Sequence, residues 1–165
     1  MSDDVIIRQH LILNESAKQL FDPSHIDEIP PVDEYPIWEK TDPYGRTYYG
    51  VSNFWGVDSN IEKDCDLSWL EWDGNEVNVD SDSRDDLLML FQKTVGIMKS
   101  WKAQLTADYP DERFVIFASF DDGSELIEGS DPYIGFTLRF WKIREGQGFH
   151  ENTDSEQPLL KMIIG

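Results

Sequence analysis

SRDDLLMLFQKTVGIMKSWKAQLTADYPDERFVIFASF (Ser83–Phe120) places a helix directly before a strand, and its reading decides the fold class. Ser83-Arg84-Asp85-Asp86 has the form of a capping box, with acids in the first turn where the helix dipole favours negative charge. Leu87, Phe91, Thr94, Met98, Trp101 and Leu105 then recur at steps of three and four. Leu88, Leu90, Val95 and Ile97 widen this apolar stripe, while Lys93, Lys99 and Lys102 fall beside it. Pro110 forbids continuation. The pattern predicts one helix over about 83–107, ~37 Å long at a rise of 1.5 Å per residue. Gly96 costs a helix interior ~1 kcal/mol relative to Ala, which suggests close packing on a strand. RFVIFASF (Arg113–Phe120) is apolar on both faces and predicts a central strand.

On the C-terminal side, IGFTLRFWKIR (Ile134–Arg144) alternates. Ile134, Phe136, Leu138 and Phe140 share one face; Thr137, Arg139, Trp141 and Ile143 share the other. PLLKMIIG (Pro158–Gly165) reads as a last strand, and a short strand is expected at Glu125–Glu128. On the N-terminal side, DVIIRQHLIL (Asp4–Leu13) reads as a strand. A short helix follows, capped by Asn14, with Ala17, Leu20 and Phe21 on one side. Five prolines between positions 22 and 45 exclude a long helix there and predict an extended loop crossing the body. RTYYGVSNFWGV (Arg46–Val57) has strand composition, interrupted by Gly50 and Gly56. WLEWDGNEVNV (Trp69–Val79) reads as a hairpin turning at Gly74-Asn75, which pairs Trp72 with Val77 and Leu70 with Val79. Its outer face would then carry Trp69, Glu71, Asp73, Glu76 and Asp80. Together these predict an α+β fold: a mostly antiparallel sheet, largely a meander, packed against one long helix in a single domain over 1–165.

The chain carries 33 acids against 14 Lys and Arg, a net charge of −19. Nucleic acid and anionic membranes would be repelled by it, so neither is an expected partner. Thirteen per cent aromatic residues argue against a disordered acidic chain. Cys65 is the only cysteine, which excludes an intrachain disulfide and agrees with a reducing compartment. No secretory signal pattern and no apolar run of membrane-spanning length occurs, so a soluble cytoplasmic protein is expected.

Catalytic signatures are missing. His10, His25 and His150 are scattered, and the acidic loops starting at Asp64 and Asp80 fail the calcium-loop pattern, so no metal or cofactor is expected. Asp64 and Asp66 flank Cys65 and raise its thiol pKa, the wrong direction for a nucleophile. Paired carboxylates carry little information in so acidic a chain. Arg139, Trp141 and Arg144 form a basic-aromatic group best explained by pairing with the protein's own acids. An enzyme is therefore not expected.

CDLSWLEWDGNEVNVDSDSRDD (Cys65–Asp86) lies within the most acidic part of the chain. From Asp58 to Asp86, eleven acids face only Lys63 and Arg84, a net charge of −9. A solvated face is the plain reading. The sharper one is a recognition surface: Asp64, Asp66, Glu71, Asp73, Glu76, Asp80 and Asp82 would receive basic side chains, and Trp69, with Trp55 or Trp72, would anchor them. Small, acidic and aromatic-rich, with stretches such as WLEWDGNEVNVD (Trp69–Asp80) and TLRFWKIREG (Thr137–Gly146), the chain resembles bacterial toxin-immunity proteins in type. The resemblance implies tight binding to a basic, nuclease-type toxin domain, with its active or substrate-binding surface covered. Two alternatives stand beside it. One is a DNA mimic, which needs two rows of carboxylates at phosphate spacing. The other is an enzyme or small-ligand binder using Tyr35, Trp38, Tyr44, Tyr48, Tyr49, Phe54 and Trp55 as a pocket.

Overall fold

The computed structural model describes residues 11–52, 54, 61–81, 84–123, 134–146 and 157–165. In chain order its elements are β1 (Ile12–Leu13), α1 (Glu15–Leu20), β2 (Ile37–Thr41), β3 (Thr47–Val51), α2 (Leu67–Gly74), β4 (Val77–Ser81), α3 (Leu87–Asp108), β5 (Phe114–Asp122), β6 (Ile134–Lys142) and β7 (Leu159–Ile164). Five strands form one antiparallel sheet in the order β1-β7-β5-β6-β4, and β2 and β3 form a separate hairpin. The fold is α+β, with the long helix on the inner face of the larger sheet.

β5 is the middle strand, as its two apolar faces predict. The sheet is not a meander, however. Of its strands only β5 and β6 are both consecutive and adjacent. β4 and β5 both pair antiparallel with β6, so they run parallel to each other one strand apart. Parallel strands need a long crossover, and the 22 residues of α3, ~33 Å at 1.5 Å per residue, supply it.

The helix proper begins at Leu87, after a 3-10 turn at Arg84–Asp86. Ser83, the predicted cap, lies outside the described residues. Leu90, Phe91, Thr94, Val95, Ile97, Met98, Trp101 and Leu105 are buried, but Leu88 is exposed, so the stripe is narrower there than predicted. Burying side chains such as Phe91, Met98 and Leu105 contributes ~1.5–3 kcal/mol each, which outweighs the cost of Gly96 in the helix interior. On the inner face of β6, Ile134, Phe136, Leu138 and Phe140 join the same core, as the alternation predicts.

The proline-rich segment is laid along α3. Gly96 packs against this segment instead of a strand, because a Cβ there would lie 2.6 Å from Val32 and 2.8 Å from the Pro30 carbonyl. Val32 donates its N–H to the Gly96 carbonyl, and Lys99 donates to the carbonyls of Ile26 and Ile29. Trp101 donates to the Tyr35 carbonyl, and Gln104 bonds both backbone groups of Ile37. Four residues of one helix therefore fix the path that leads into β2. The β2–β3 turn is held by buried Asp42, whose carboxylate accepts from the N–H groups of Tyr44 and Arg46 and from the Arg46 guanidinium. Although burial opposes its charge, these donors hold the Asp42 carboxyl below its usual range.

At the termini, Asn14 caps α1 by accepting from Ala17, and the same oxygen accepts from Leu159 at the start of β7. Ala17 and Phe21 are buried, whereas Leu20 is exposed. Of the predicted strand at Asp4–Leu13, residues 11–13 fall within the described residues and Ile12–Leu13 is strand; the strand predicted at Glu125–Glu128 lies outside them. Among the described residues, no helix is long and apolar enough to cross a membrane.

Candidate interaction surface on helix α2

The predicted hairpin at Trp69–Val79 does not form. Its second half is a strand, β4, but it pairs with β6. Its first half is the helix α2, so the pairs Trp72 with Val77 and Leu70 with Val79 are absent. Two forces favour the helix. Asp66 caps it, accepting the Trp69 N–H at 2.9 Å. Ser68, Glu71 and Asn75, spaced at three and four, fall on one helical face and meet the backbone edges of β3 and β6.

β4 covers β6 only as far as Leu138, so among the described residues the end of β6 has no strand partner on that side. Side chains of α2 and of Asn75, which caps its C-terminal end, take its place. Asn75 Nδ2 donates to the carbonyls of Phe140 (3.2 Å) and Tyr49 (3.0 Å), while its oxygen accepts from Val51. Ser68 Oγ donates to the Lys142 carbonyl at 2.6 Å. Glu71 Oε1 accepts from the Lys142 N–H and Oε2 from the Tyr49 N–H, both at 2.9 Å. Arg144 completes the set with a fork on Glu71, 2.7 and 2.9 Å from its two oxygens, and with bonds to Ser68 and the Thr47 carbonyl. One polar stripe thus joins the β2–β3 hairpin to the main sheet, a closed network of the kind buried polar groups require.

Glu71 is therefore a correction. The hairpin reading places it on the acidic outer face, but its side chain is fully buried. Burial pushes its carboxyl above the usual range, against the pull of Arg144 and the N–H groups of Lys142 and Tyr49. Every contact it makes comes from a donor, so the carboxylate is the form that fits: a protonated Glu71 would add an O–H facing other donors.

The other predicted residues divide by position. Asp66, Trp69 and Asp73 share the outward face of α2, one turn apart, and Asp64 is exposed just before it. Trp69 is 47 % exposed. The approach to the helix is anchored because Arg46 donates to the carbonyls of Glu62 and Cys65. Glu76 is half-buried and paired with Arg139 at 3.2 Å, so its charge is partly neutralised. The same guanidinium lies 4.5 Å over the Trp72 ring, which removes that indole from the exposed set. Asp80 is exposed on β4, opposite Gly135 of β6, and belongs to the sheet instead of the α2 face. Asp58, Asp82 and Trp55 lie outside the described residues.

Arg139 and Arg144 pair with the protein's own acids, as the basic-aromatic group suggests, and Trp141 is buried beside Val115, Phe117 and Leu159. Burial raises the Cys65 thiol, with Asp66 and Asp64 adding to the shift and Arg46 opposing it. Among the described residues, no group of three His, Cys, Asp or Glu is gathered to hold a metal ion. The sequence reading missed Ser68, Asn75 and Arg144 as a group. Their signal was present in the three-and-four spacing of Ser68, Glu71 and Asn75, which a strand cannot place on one face.

Because Asp66 both caps α2 and lies on its outer face, its replacement has a separable structural effect. Asp66→Ala is expected to lower stability by about 1 kcal/mol, read from the urea unfolding midpoint. No change would mean that the cap contributes nothing.

Against protein-family models, curated proteins and solved structures, the chain gives no match.

Proposed function

We propose that this chain is a binding protein that neutralises a basic, nuclease-type toxin domain by docking the outward face of α2 on its substrate-binding surface. One observation carries this reading: Trp69 stands half-exposed between Asp66 and Asp73, on a helix whose opposite face is bonded to both sheets. An exposed indole on a fixed backbone loses little conformational freedom when it docks, and Trp is among the residues that dominate binding energies. Carboxylates around it favour encounter with a cationic surface and discriminate against anionic ones. A nuclease's phosphate-binding surface has that cationic character.

The test has two stages. The immobilised chain should retain a basic protein at low salt, and the purified partner should lose its nuclease activity in proportion to added chain. The double variant Asp64→Lys/Asp73→Lys should then slow association by roughly tenfold at low ionic strength, with a weaker dependence on salt. Both positions are exposed, so the fold should be retained; Asp66 is left intact because it caps the helix. An unchanged association rate at low salt would exclude this face as the docking surface.

A further inference from the structure

A cavity of about 570 Å³ opens where β3, the end of β6 and the C-terminal end of α3 meet, and α2 touches it only through Leu67. Tyr49 and Tyr109 form part of its wall, their rings 4.7 Å apart in an edge-on arrangement. Three cations also line it, but each is already held. Arg46 is bound to Asp42, Arg144 to Glu71, and Lys142 to Glu112 at 2.8 Å. The remaining charge is acidic: Glu39, Asp108 and Asp111 are exposed at the cavity and make no ion pair among the described residues.

Two further observations point to a ligand. Tyr49 is only 3 % exposed, yet its hydroxyl has no hydrogen-bond partner among the described residues. Burial, followed by the nearby charges of Glu112 and Glu39, pushes that phenol up to about 12, so it remains a donor and acceptor at any physiological pH. The Tyr49 side chain is otherwise buried and lines the cavity near the charges of Glu112 and Glu39, where its hydroxyl can hydrogen-bond a ligand. Independently, α3 ends here with no basic residue in its last turn and with Asp108 as its final residue. The partial negative charge of a helix C-terminus favours a cation, and α3 supplies none of its own.

We infer that this cavity binds one organic cation, a guanidinium or primary ammonium, with the carboxylates of Glu39, Asp108 and Asp111 as its counter-charge and the Tyr49 hydroxyl and Tyr109 ring as its wall. A head of this type donates several hydrogen bonds to carboxylates and lies favourably against aromatic rings. The inference does not depend on what α2 docks.

Agmatine, which carries a guanidinium and an ammonium, is the probe, added to the intact protein and followed by NMR of the tyrosine rings at fixed ionic strength. Saturable shifts are expected at Tyr49 and Tyr109. The variant Glu39→Gln/Asp111→Asn, at two exposed positions, should weaken binding by roughly tenfold, and Tyr49→Phe by roughly fivefold. Acetyl-Gly-Arg-Gly-amide supplies the second arm. Tighter binding than agmatine assigns the cavity to an arginine of a protein partner; weaker binding assigns it to a free organic cation. Either result upholds the site. The inference is overturned if neither probe gives saturable shifts at Tyr49 and Tyr109 beyond those of sodium. It is also overturned if Glu39→Gln/Asp111→Asn binds as tightly as the original.

Discussion

Glu71→Ala should destabilise the protein by about 3–5 kcal/mol, the loss expected when one partner of a buried ion pair is removed. The truncation leaves Arg144, whose side chain is only 13 % exposed, without its fork. It also strips the acceptor from the N–H groups of Tyr49 and Lys142. A domain of ordinary stability has about 5–15 kcal/mol in total, so the variant would approach the limit of folding. Urea unfolding measures the change directly.

A double-mutant cycle separates the ion pair from the backbone bonds. Replacing the pair with Glu71→Leu and Arg144→Met removes both charges, and apolar replacement of a buried pair is often neutral. Here it should recover only part of the loss. The N–H groups of Tyr49 and Lys142 would still lack acceptors, at about 1–3 kcal/mol each. Full recovery would mean that Glu71 serves only Arg144. A loss below 1 kcal/mol for Glu71→Ala would mean that the stripe does not fasten the hairpin to the sheet.

Trp69→Ala should have the opposite profile. Its indole is half-exposed, so stability should move by no more than about 0.5 kcal/mol. Affinity for the basic partner should fall by about 2 kcal/mol or more, roughly thirtyfold. The effect should appear mainly in the dissociation rate, because an indole in a pocket holds a complex together while charge governs encounter. Calorimetry of binding and thermal unfolding of the same variant provide both readouts. Unchanged affinity would remove α2's outward face from the interface even if the chain binds a toxin domain elsewhere. Trp72 makes a useful comparison: it lies under the Arg139 guanidinium, so its truncation should alter folding before binding.

The two variants address opposite faces of one eight-residue helix. The inner side buries Ser68 and Glu71 beside Leu67 and Leu70, and the outer face is exposed acid with one indole. Polar residues among the buried apolar ones blur the usual apolar-in pattern, and this accounts for the misread hairpin. Leu70, Trp72, Val77 and Val79 suggested a two-residue alternation around Gly74-Asn75, but the alternation is real only from Val77 onward. Before it, the decisive positions are Ser68, Glu71 and Asn75, whose value lies in strand edges far away in sequence.

Elements that bury a continuous apolar pattern were legible from the chain alone. The helix at Leu87–Asp108, the two-faced strand β5 and the alternating β6 each carry their own periodicity, because burial there depends on the residue's own side chain. The position of Gly96 against Val32, the placement of β4 beyond β6, and the burial of Glu71 beneath Arg144 were decided only in three dimensions. Each depends on a partner brought from elsewhere in the chain, and a charged or polar side chain does not reveal by its type whether its partner will be water or a distant backbone edge.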